Sequence, residues 1–160
     1  MVANLPYSVA TPVLLRTIAE LPSLRGWFVM VQREIGERLR AQPGTREYGS
    51  PSVVAQLAGD VSLVRTVDPA VFTPRPRVES ALVRIERRGP GASPALVALI
   101  RDAFAHRRKS LARSLELAGP GRLHAARAAL AEMGLPEDSR AEALAPADFA
   151  RLGELLGADR

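Results

Sequence analysis

The sequence predicts an α/β protein whose sheet finishes in an antiparallel pair of strands, followed by a smaller all-α region. Strand-like and helix-like segments alternate through residues 1–88. The stretch 89–94, Gly-Pro-Gly-Ala-Ser-Pro, has the composition of a linker. Residues 95–160 carry only helical patterns. We therefore predict an α/β domain at 1–88, a linker at 89–94 and a helical domain at 95–160.

The composition places the chain among ordinary globular proteins and excludes several other classes. Its 160 residues are 47% hydrophobic and 24% charged, which is too apolar for a disordered chain. The absence of cysteine excludes a disulfide scaffold and a cysteine metal site. No apolar run approaches the length of a membrane span, and the first residues do not resemble a signal peptide. These features lead us to expect a cytoplasmic protein without a membrane partner.

The α/β part can be divided into elements from its pattern. Thr11 and Pro12 are typical of an N-cap and a first helical position, and Pro22 ends that helix. The apolar run 27–31 predicts a strand covered by helices on both faces. Further along, the pattern predicts helices at 34–41 and 52–58, a strand at 61–67, an extended proline-containing loop at 71–78 and a strand at 81–85 with one wetter face.

The helical part contains four apolar stripes. The first runs from Leu96 to Phe104, and a break is predicted at 106–109 because the same period would place Arg108 on the apolar face. The other three helices are predicted to start at Leu111, to span 123–133 before Gly134, and to span 146–156.

The positive charge is concentrated in one segment. Residues 101–127 hold seven basic and two acidic residues, whereas the rest of the chain holds 15 of each, so the net charge of +5 lies entirely in this segment. A local cationic block attracts polyanions such as nucleic acids. A solvated helix face is the alternative interpretation, and the charge pattern alone leaves both open.

The segment Asn4–Leu5–Pro6–Tyr7 has the chemistry of a site for an aromatic amine. The Asn amide oxygen and a main-chain carbonyl held by Pro6 could accept both hydrogens of an exocyclic amine, while Tyr7 offers a stacking face. Two such acceptors favour a more pyramidal nitrogen and expose its lone pair. A turn with a packed tyrosine is the alternative.

Phe72 lies in the stiff proline-containing loop and is the second stacking candidate. Together with Tyr7 it could clamp a flipped-out base, although core packing of Phe72 is an equal alternative at this point. His106 and His124 have no partner pattern for a metal or a catalytic triad, and we expect no metal site. No phosphate-binding glycine loop or Walker motif is present in the sequence.

Seven motifs occur in a characteristic order. They are Asn4–Leu5–Pro6–Tyr7, Thr11–Pro12, Gln32–Arg33–Glu34, Tyr48–Gly49, Phe72–Thr73–Pro74 with Pro76–Arg77–Val78–Glu79–Ser80, Ala103–Phe104 before Arg107–Arg108–Lys109–Ser110–Leu111, and Arg140–Ala141–Glu142. In this order the sequence resembles the ribosomal RNA adenine N6-dimethyltransferases, in particular the KsgA/RsmA-like enzymes of the bacterial small subunit. The resemblance extends from Asn4 to about Leu156.

The resemblance implies a Rossmann-like class I methyltransferase fold and an activity. The expected reaction is transfer of methyl groups from S-adenosylmethionine to N6 of two adjacent adenosines near the 3′ end of small-subunit rRNA, within the pre-30S subunit. By position, Asn4 with the Leu5 and Pro6 backbone would hold the target amine close to the cofactor, and Asn4 would also touch the cofactor. Tyr7 and Phe72 would stack on the adenine.

The resemblance also assigns RNA contacts and shows departures. Residues expected to meet RNA phosphates are Arg107, Arg108, Lys109 and Arg113. Family members usually carry glutamine at the position of His106 and arginine at that of Ala112. We expect both departures to affect the RNA-facing surface.

A larger departure lies at the start of the chain. The glycine-rich loop and the acidic residue that build most of the cofactor pocket in this family precede the Asn-Leu-Pro-Tyr motif, and here only Met1–Val2–Ala3 precede it. The sequence is therefore expected to be a C-terminal portion, from a truncated gene, a fragment assembly or a misplaced start. We expect it to be monomeric and inactive alone.

Two other functions remain open. A large-subunit adenine methyltransferase of the macrolide-resistance type is a rival, against which the motifs at 107–109 and 140–142 argue. A noncatalytic RNA- or ribosome-binding module that uses only the basic helical region is the alternative from a different class.

Overall fold

The computed structural model describes residues 1–158 and shows a mixed α/β protein, as predicted. In chain order the elements are β1 (Val2–Asn4), α1 (Ala10–Glu20), β2 (Gly26–Gln32), α2 (Arg33–Arg40), α3 (Ser50–Ala58), β3 (Gly59–Val67), β4 (Ser80–Arg87), α4 (Pro94–Phe104), α5 (Leu111–Ala118), α6 (Leu123–Glu132) and α7 (Pro146–Leu155). Two single 3₁₀ turns lie at Pro69–Val71 and Ala141–Ala143. Among residues 1–158, no helix has the length and apolar character needed to cross a bilayer.

The four strands form one sheet in the order β1-β2-β4-β3. β1 runs parallel to β2, whereas β4 pairs antiparallel with both β2 and β3. This confirms the predicted antiparallel ending. Met30 of β2 pairs with Asn4 on one side and with Leu82 on the other. The parallel pairing thus fixes Asn4 at the carboxyl end of β1, where the chain leaves the sheet.

Only one face of the sheet is covered by helices within residues 1–158. Trp27, Val29 and Val31 of β2 are buried in a core with apolar residues of α1, α2 and α3. Phe28 points to the opposite face and remains 37% exposed. The prediction that helices cover this strand on both faces was therefore wrong, because the helices that contribute to this core lie on one side.

A second core fills the helical region and reaches into the α/β part. α3 contributes Val53 and Val54 to the helical core and Ala55 to the sheet core. Tyr48 is also buried in the helical core, where its hydroxyl donates a 2.8 Å hydrogen bond to the carbonyl of Leu144. The region before the linker therefore packs directly on the helices that follow it. The domain boundaries at 88 and 94 stay a prediction.

Local signals explain most helix ends. α1 begins one residue before the predicted cap Thr11, and its N-cap, Val9, has no capping side chain. Ser93 caps α4 by accepting the Leu96 N–H at 3.1 Å. The predicted break at 106–109 is a turn between α4 and α5. Gly134 follows α6 with φ of 71°, a left-handed conformation that glycine adopts without strain.

Candidate active site

The predicted amine-binding segment forms one wall of an open cleft at the end of β1. The strand bonding continues one residue past Asn4, since the Leu5 N–H donates to the Met30 carbonyl at 3.2 Å. Leu5 turns its side chain into the sheet core, with 8% exposure. This anchor leaves the exposed Asn4 on the cleft side.

Tyr7 is held in place by a partner on β4. Its hydroxyl lies 2.6 Å from the Oγ of Ser80, the fully buried first residue of that strand. This contact joins positions 73 residues apart and fixes one end of the ring. The ring itself is half-buried and lines the cleft. The contact therefore sets the angle at which the ring faces a ligand.

The proline-containing loop supplies the opposite wall. The cleft has a volume of about 300 Å³ and is lined by Asn4, Leu5, Pro6, Tyr7, Phe72, Pro74 and Pro76. Phe72 is half-buried and faces this cleft, so the core-packing alternative does not describe its position. The peptide bond between Thr73 and Pro74 is cis. The structure thus brings together all five residues predicted for the amine and the base.

The far end of this loop is fastened to α2. The Arg33 N–H donates to the Glu79 carbonyl at 2.9 Å, and the Arg33 guanidinium donates to the Glu79 carboxylate at 2.6 Å. Glu37, one turn along α2, accepts a further bond from Arg33 at 2.8 Å and, with Glu79, raises the pKa of Arg33. The Tyr7 ring is therefore tied to β4 through Ser80, and the loop that carries Phe72 is tied to α2 through Glu79.

Two hydrogen-bond acceptors at this cleft have no partner within residues 1–158. The Pro6 carbonyl accepts the Val9 N–H at 3.1 Å, but the Leu5 carbonyl accepts no hydrogen bond from the described backbone. The Asn4 side chain also makes no hydrogen bond in this part of the chain. Between the Leu5 and Pro6 carbonyls, the structure thus favours Leu5 as the free main-chain acceptor.

The lining of the cleft suits an uncharged planar ligand. Neither a carboxylate nor a cationic side chain is among its lining residues, and Tyr7 and Phe72 offer two aromatic faces. A volume of about 300 Å³ lies at the lower end of the range for ligand pockets, roughly 300–1,000 Å³. This fits a single heterocyclic base.

The predicted RNA-contacting residues lie at and after the turn between α4 and α5. Arg107 donates to the carbonyl of Arg46 at 3.0 Å and lies 3.4 Å from the Glu142 carboxylate. Arg108, Lys109 and Arg113 are exposed, and within residues 1–158 none of the three has an ion pair. We call residues 106–109 the basic turn.

The two sequence departures fall in different environments. His106 is exposed at the basic turn. Ala112 is fully buried in the helical core, so the expectation that this position belongs to the RNA-facing surface was wrong. The first turn of α5 presents Arg113 outward and Ala112 inward because adjacent helical residues point in different directions.

Some residues at the site were not predicted from the sequence. Ser80, Arg33 and Glu79 appear in the sequence analysis only as members of motifs, without a predicted role. Each lies at or next to a strand end, where a polar residue beside an apolar strand can indicate a structural contact. His124 is exposed, and residues 1–158 contain no group of three or more acidic, histidine or cysteine side chains that could hold a metal ion.

Comparison with solved structures defines the class of fold. The structure resembles a dimethyladenosine transferase from Plasmodium falciparum with a TM-score of 0.81 and 21% identity, covering 94% of this chain and 64% of that chain. It also resembles the 23S rRNA methyltransferase ErmE with a TM-score of 0.62 and 22% identity, covering 98% and 64%. At these identities the likeness concerns the fold alone, which this chain shares with both transferases.

Sequence comparison then gives the family. A family model described as ribosomal RNA adenine dimethylase matches residues 1–157, so the chain belongs to that family. Its relatives include the ribosomal RNA small subunit methyltransferase A of Rhodococcus opacus, which is 47% identical in an alignment of length 159 that covers 95% of this chain and 53% of the relative. The protein of the same name from Acidothermus cellulolyticus is 45% identical in an alignment of length 158 that covers 96% of this chain and 54% of that relative. The chain thus spans about half the length of these curated relatives.

Proposed function

We propose that this chain forms the acceptor-base part of an S-adenosylmethionine-dependent rRNA adenine N6-dimethyltransferase that acts on two adjacent adenosines near the 3′ end of small-subunit rRNA. The observation that carries the proposal is the cleft that unites Asn4–Tyr7 with Phe72. Family membership supports the reaction class, and the names of the relatives support the small subunit over the rival large-subunit assignment.

The role of the first wall is to bind the target amine. The Asn4 Oδ1 and the Leu5 carbonyl oxygen accept the two N6 hydrogens, which draws the nitrogen away from the plane of the ring. Its lone pair is then less delocalised and more nucleophilic. With the cofactor bound, this lone pair would bond to the methyl carbon as the methyl–sulfur bond breaks and the neutral thioether S-adenosylhomocysteine leaves. The nitrogen would then lose one proton to water, so the site needs no strong general base.

The role of the two aromatic side chains is to hold the base flat. Stacking of a base on an aromatic side chain contributes about 1–3 kcal/mol, which helps to offset the cost of unstacking the adenosine from RNA. The Ser80 contact keeps the Tyr7 ring from rotating out of the cleft. The prolines beside Phe72 limit the movement of the opposite wall.

We propose that the cofactor pocket is not complete within residues 1–158. S-adenosylmethionine supplies an electrophilic methyl carbon in this family, yet the cleft offers no carboxylate for a ribose and no cation for a carboxylate. We propose that the chain corresponds to the part of these enzymes that begins at the Asn-Leu-Pro-Tyr motif. On this proposal the isolated chain is inactive, and Asn4 is expected to lie near the cofactor.

The proposed RNA partner contacts the basic turn and the start of α5. Arg108, Lys109 and Arg113 present free positive charges to solvent, which suits the phosphates of rRNA. The same surface is the specific observation behind a second candidate function, a noncatalytic RNA-binding module. The methyltransferase function requires that the cleft binds the target base, whereas the noncatalytic RNA-binding module does not.

A chimera tests the proposed reaction. The part of the Rhodococcus opacus relative that this chain does not match is fused to the chain, and radioactive methyl transfer to small ribosomal subunits is measured. We expect dimethyladenosine from the chimera and none from its Asn4→Ala variant. A folded chimera that binds S-adenosylmethionine but transfers no methyl group contradicts the proposal.

A calorimetric titration tests the statement about the pocket. The isolated chain is titrated with S-adenosylmethionine and, separately, with RNA. We expect salt-sensitive RNA binding and no heat from the cofactor. Micromolar binding of S-adenosylmethionine by the isolated chain would show that its residues form the pocket after all.

A further inference from the structure

A second pocket lies beside the basic turn, between the α/β part and the helical region. It has a volume of about 210 Å³ and is bordered by the start of α3, by the loop before it and by the end of α4. Its charged and aromatic lining residues are Arg38, Arg46, Glu47, Tyr48, Phe104 and Arg107. None of the residues assigned to the acceptor base lines this pocket.

Three guanidinium groups and one carboxylate, that of Glu47, line this pocket, and two of the guanidinium groups also pair with carboxylates outside the lining. The side chains of Arg38 and Arg107 are 39% and 52% exposed, and their ion pairs with Glu34 and Glu142 face solvent. Such exposed pairs are weak in water, so an incoming anion can replace a carboxylate at little cost. Arg46 is exposed and has no ion pair within residues 1–158.

Hydrogen bonds and aromatic contacts shape this pocket while leaving part of its guanidinium groups without a partner. Arg107 donates to the main-chain carbonyl of Arg46, which ties the loop before α3 to the basic turn and leaves the Arg46 side chain free. Phe104 forms the apolar floor, where it packs edge-on against Tyr48 at 5.9 Å and stacks on Phe149 at 5.7 Å. The floor is therefore apolar and packed, while the rim carries the guanidinium groups.

The size of the pocket limits what it can take. A volume of about 210 Å³ is below the usual range for nucleotide or drug-sized ligands, roughly 300–1,000 Å³, but it accommodates a phosphate with part of a ribose. Planar guanidinium groups bind phosphate oxygens through paired hydrogen bonds. Arg107 belongs to both the pocket and the basic turn, so a chain of phosphates can run from one to the other.

We propose that Arg38, Arg46 and Arg107 form a binding pocket for a backbone phosphate of single-stranded RNA, which fixes the register of the RNA relative to the cleft. This proposal rests on the RNA-binding function proposed above and adds Arg38 and Arg46 to it. Phosphate contacts position a nucleic acid without reading its sequence. The pocket is thus a positioning site, separate from the site that takes the base.

The test measures RNA affinity of the chain across a salt series. A short 5′-fluorescein-labelled oligoadenylate is titrated by fluorescence anisotropy between about 50 and 200 mM salt. We expect Arg46→Gln to weaken binding about fivefold at the low-salt end and to reduce the slope of log affinity against log salt by about 0.7, the value for one lost phosphate contact on a single strand. Arg46 is a suitable target because its side chain makes no bond that the fold needs.

The control is Arg65→Gln, which removes an equally exposed arginine from β3, outside the pocket. We expect this control to leave the salt slope unchanged. Equal effects of the two variants overturn the pocket and show a response to net charge alone. If the unmodified chain binds no RNA at any salt concentration, the proposed RNA-binding function itself is wrong, which is a separate outcome.

Discussion

The buried hydroxyl of Tyr48 gives the sharpest prediction about how the two parts of the molecule are held together. Tyr48→Phe keeps the ring and removes only the 2.8 Å hydrogen bond to the Leu144 carbonyl. The ring is fully buried, so that carbonyl is left without its hydrogen-bond partner. An unsatisfied buried acceptor costs about 1–3 kcal/mol, and we expect a loss of about 1.5 kcal/mol in the free energy of unfolding.

The expected change is measured by urea unfolding and by heat. For a chain of this length, about 1.5 kcal/mol corresponds to a decrease in Tm of about 3–6 °C. Circular dichroism reports mainly on the helices, and the fluorescence of Trp27, the only tryptophan, reports on the sheet core. Because α3 contributes to both cores, we expect the two signals to change together in the variant as in the unmodified chain.

The pH dependence of stability distinguishes the effect of the buried Tyr48 hydroxyl from a general loss of packing. Burial raises the pKa of Tyr48 above its ordinary value of 10.0. A raised pKa means that the folded state binds the proton more tightly, so this contribution is present below pH 10 and is lost as the pH rises above it. The stability difference between the unmodified chain and Tyr48→Phe should therefore shrink above pH 10. A variant as stable as the unmodified chain at pH 7, or a difference that stays constant through pH 11, refutes the reasoning.

Three further predictions concern other parts of the chain. Glu116 accepts hydrogen bonds from the N–H groups of Gly121, just before α6, and of Leu123, its first residue, and these bonds lower the pKa of Glu116 below 4.5. Its stabilising effect is therefore present above pH 4.5 and lost as the pH falls, and Glu116→Gln should flatten the acid side of the stability profile in urea titrations. Ser80→Ala should leave the fold intact by circular dichroism and lower the kcat of the chimera several-fold while its RNA affinity changes little, because the contact orients the Tyr7 ring rather than adding binding area; an unchanged kcat would contradict this positioning role. Gly59→Ala should destabilise the chain by about 3 kcal/mol in urea unfolding, since the added Cβ would overlap the carbonyl of Glu86; a stable variant would show that β3 and β4 can separate at this point.

The cleft could be predicted from sequence because its residues have distinctive chemistry in short segments. Asn4–Tyr7 combines two acceptors with an aromatic ring, and Phe72 lies between prolines, so each wall was recognisable separately. Their meeting at one cleft depends on the pairing of β1 with β2 and of β2 with β4. No local pattern contains that information.

The features that were missed depend on distant contacts. The role of Ser80 depends on the contact of its Oγ with the Tyr7 hydroxyl, 73 residues away in the chain. The open face of the sheet at Phe28 was predicted to be covered, because an apolar run has the same pattern whether or not helices lie on both sides. Ala112 was assigned to the RNA surface by analogy, whereas the helical period of α5 turns it inward.

Direct observation of a stacked base is the measurement that tests the central claim, that the cleft between Asn4–Tyr7 and Phe72 holds the target base. A single-stranded RNA with 2-aminopurine at the position of one target adenosine is titrated with the chain, since the fluorescence of this base is quenched when it stacks on an aromatic ring. We expect quenching by the unmodified chain and little quenching by Phe72→Ala, with RNA affinity by anisotropy reduced far less. Quenching by Phe72→Ala equal to that of the unmodified chain would place the base elsewhere and contradict the account.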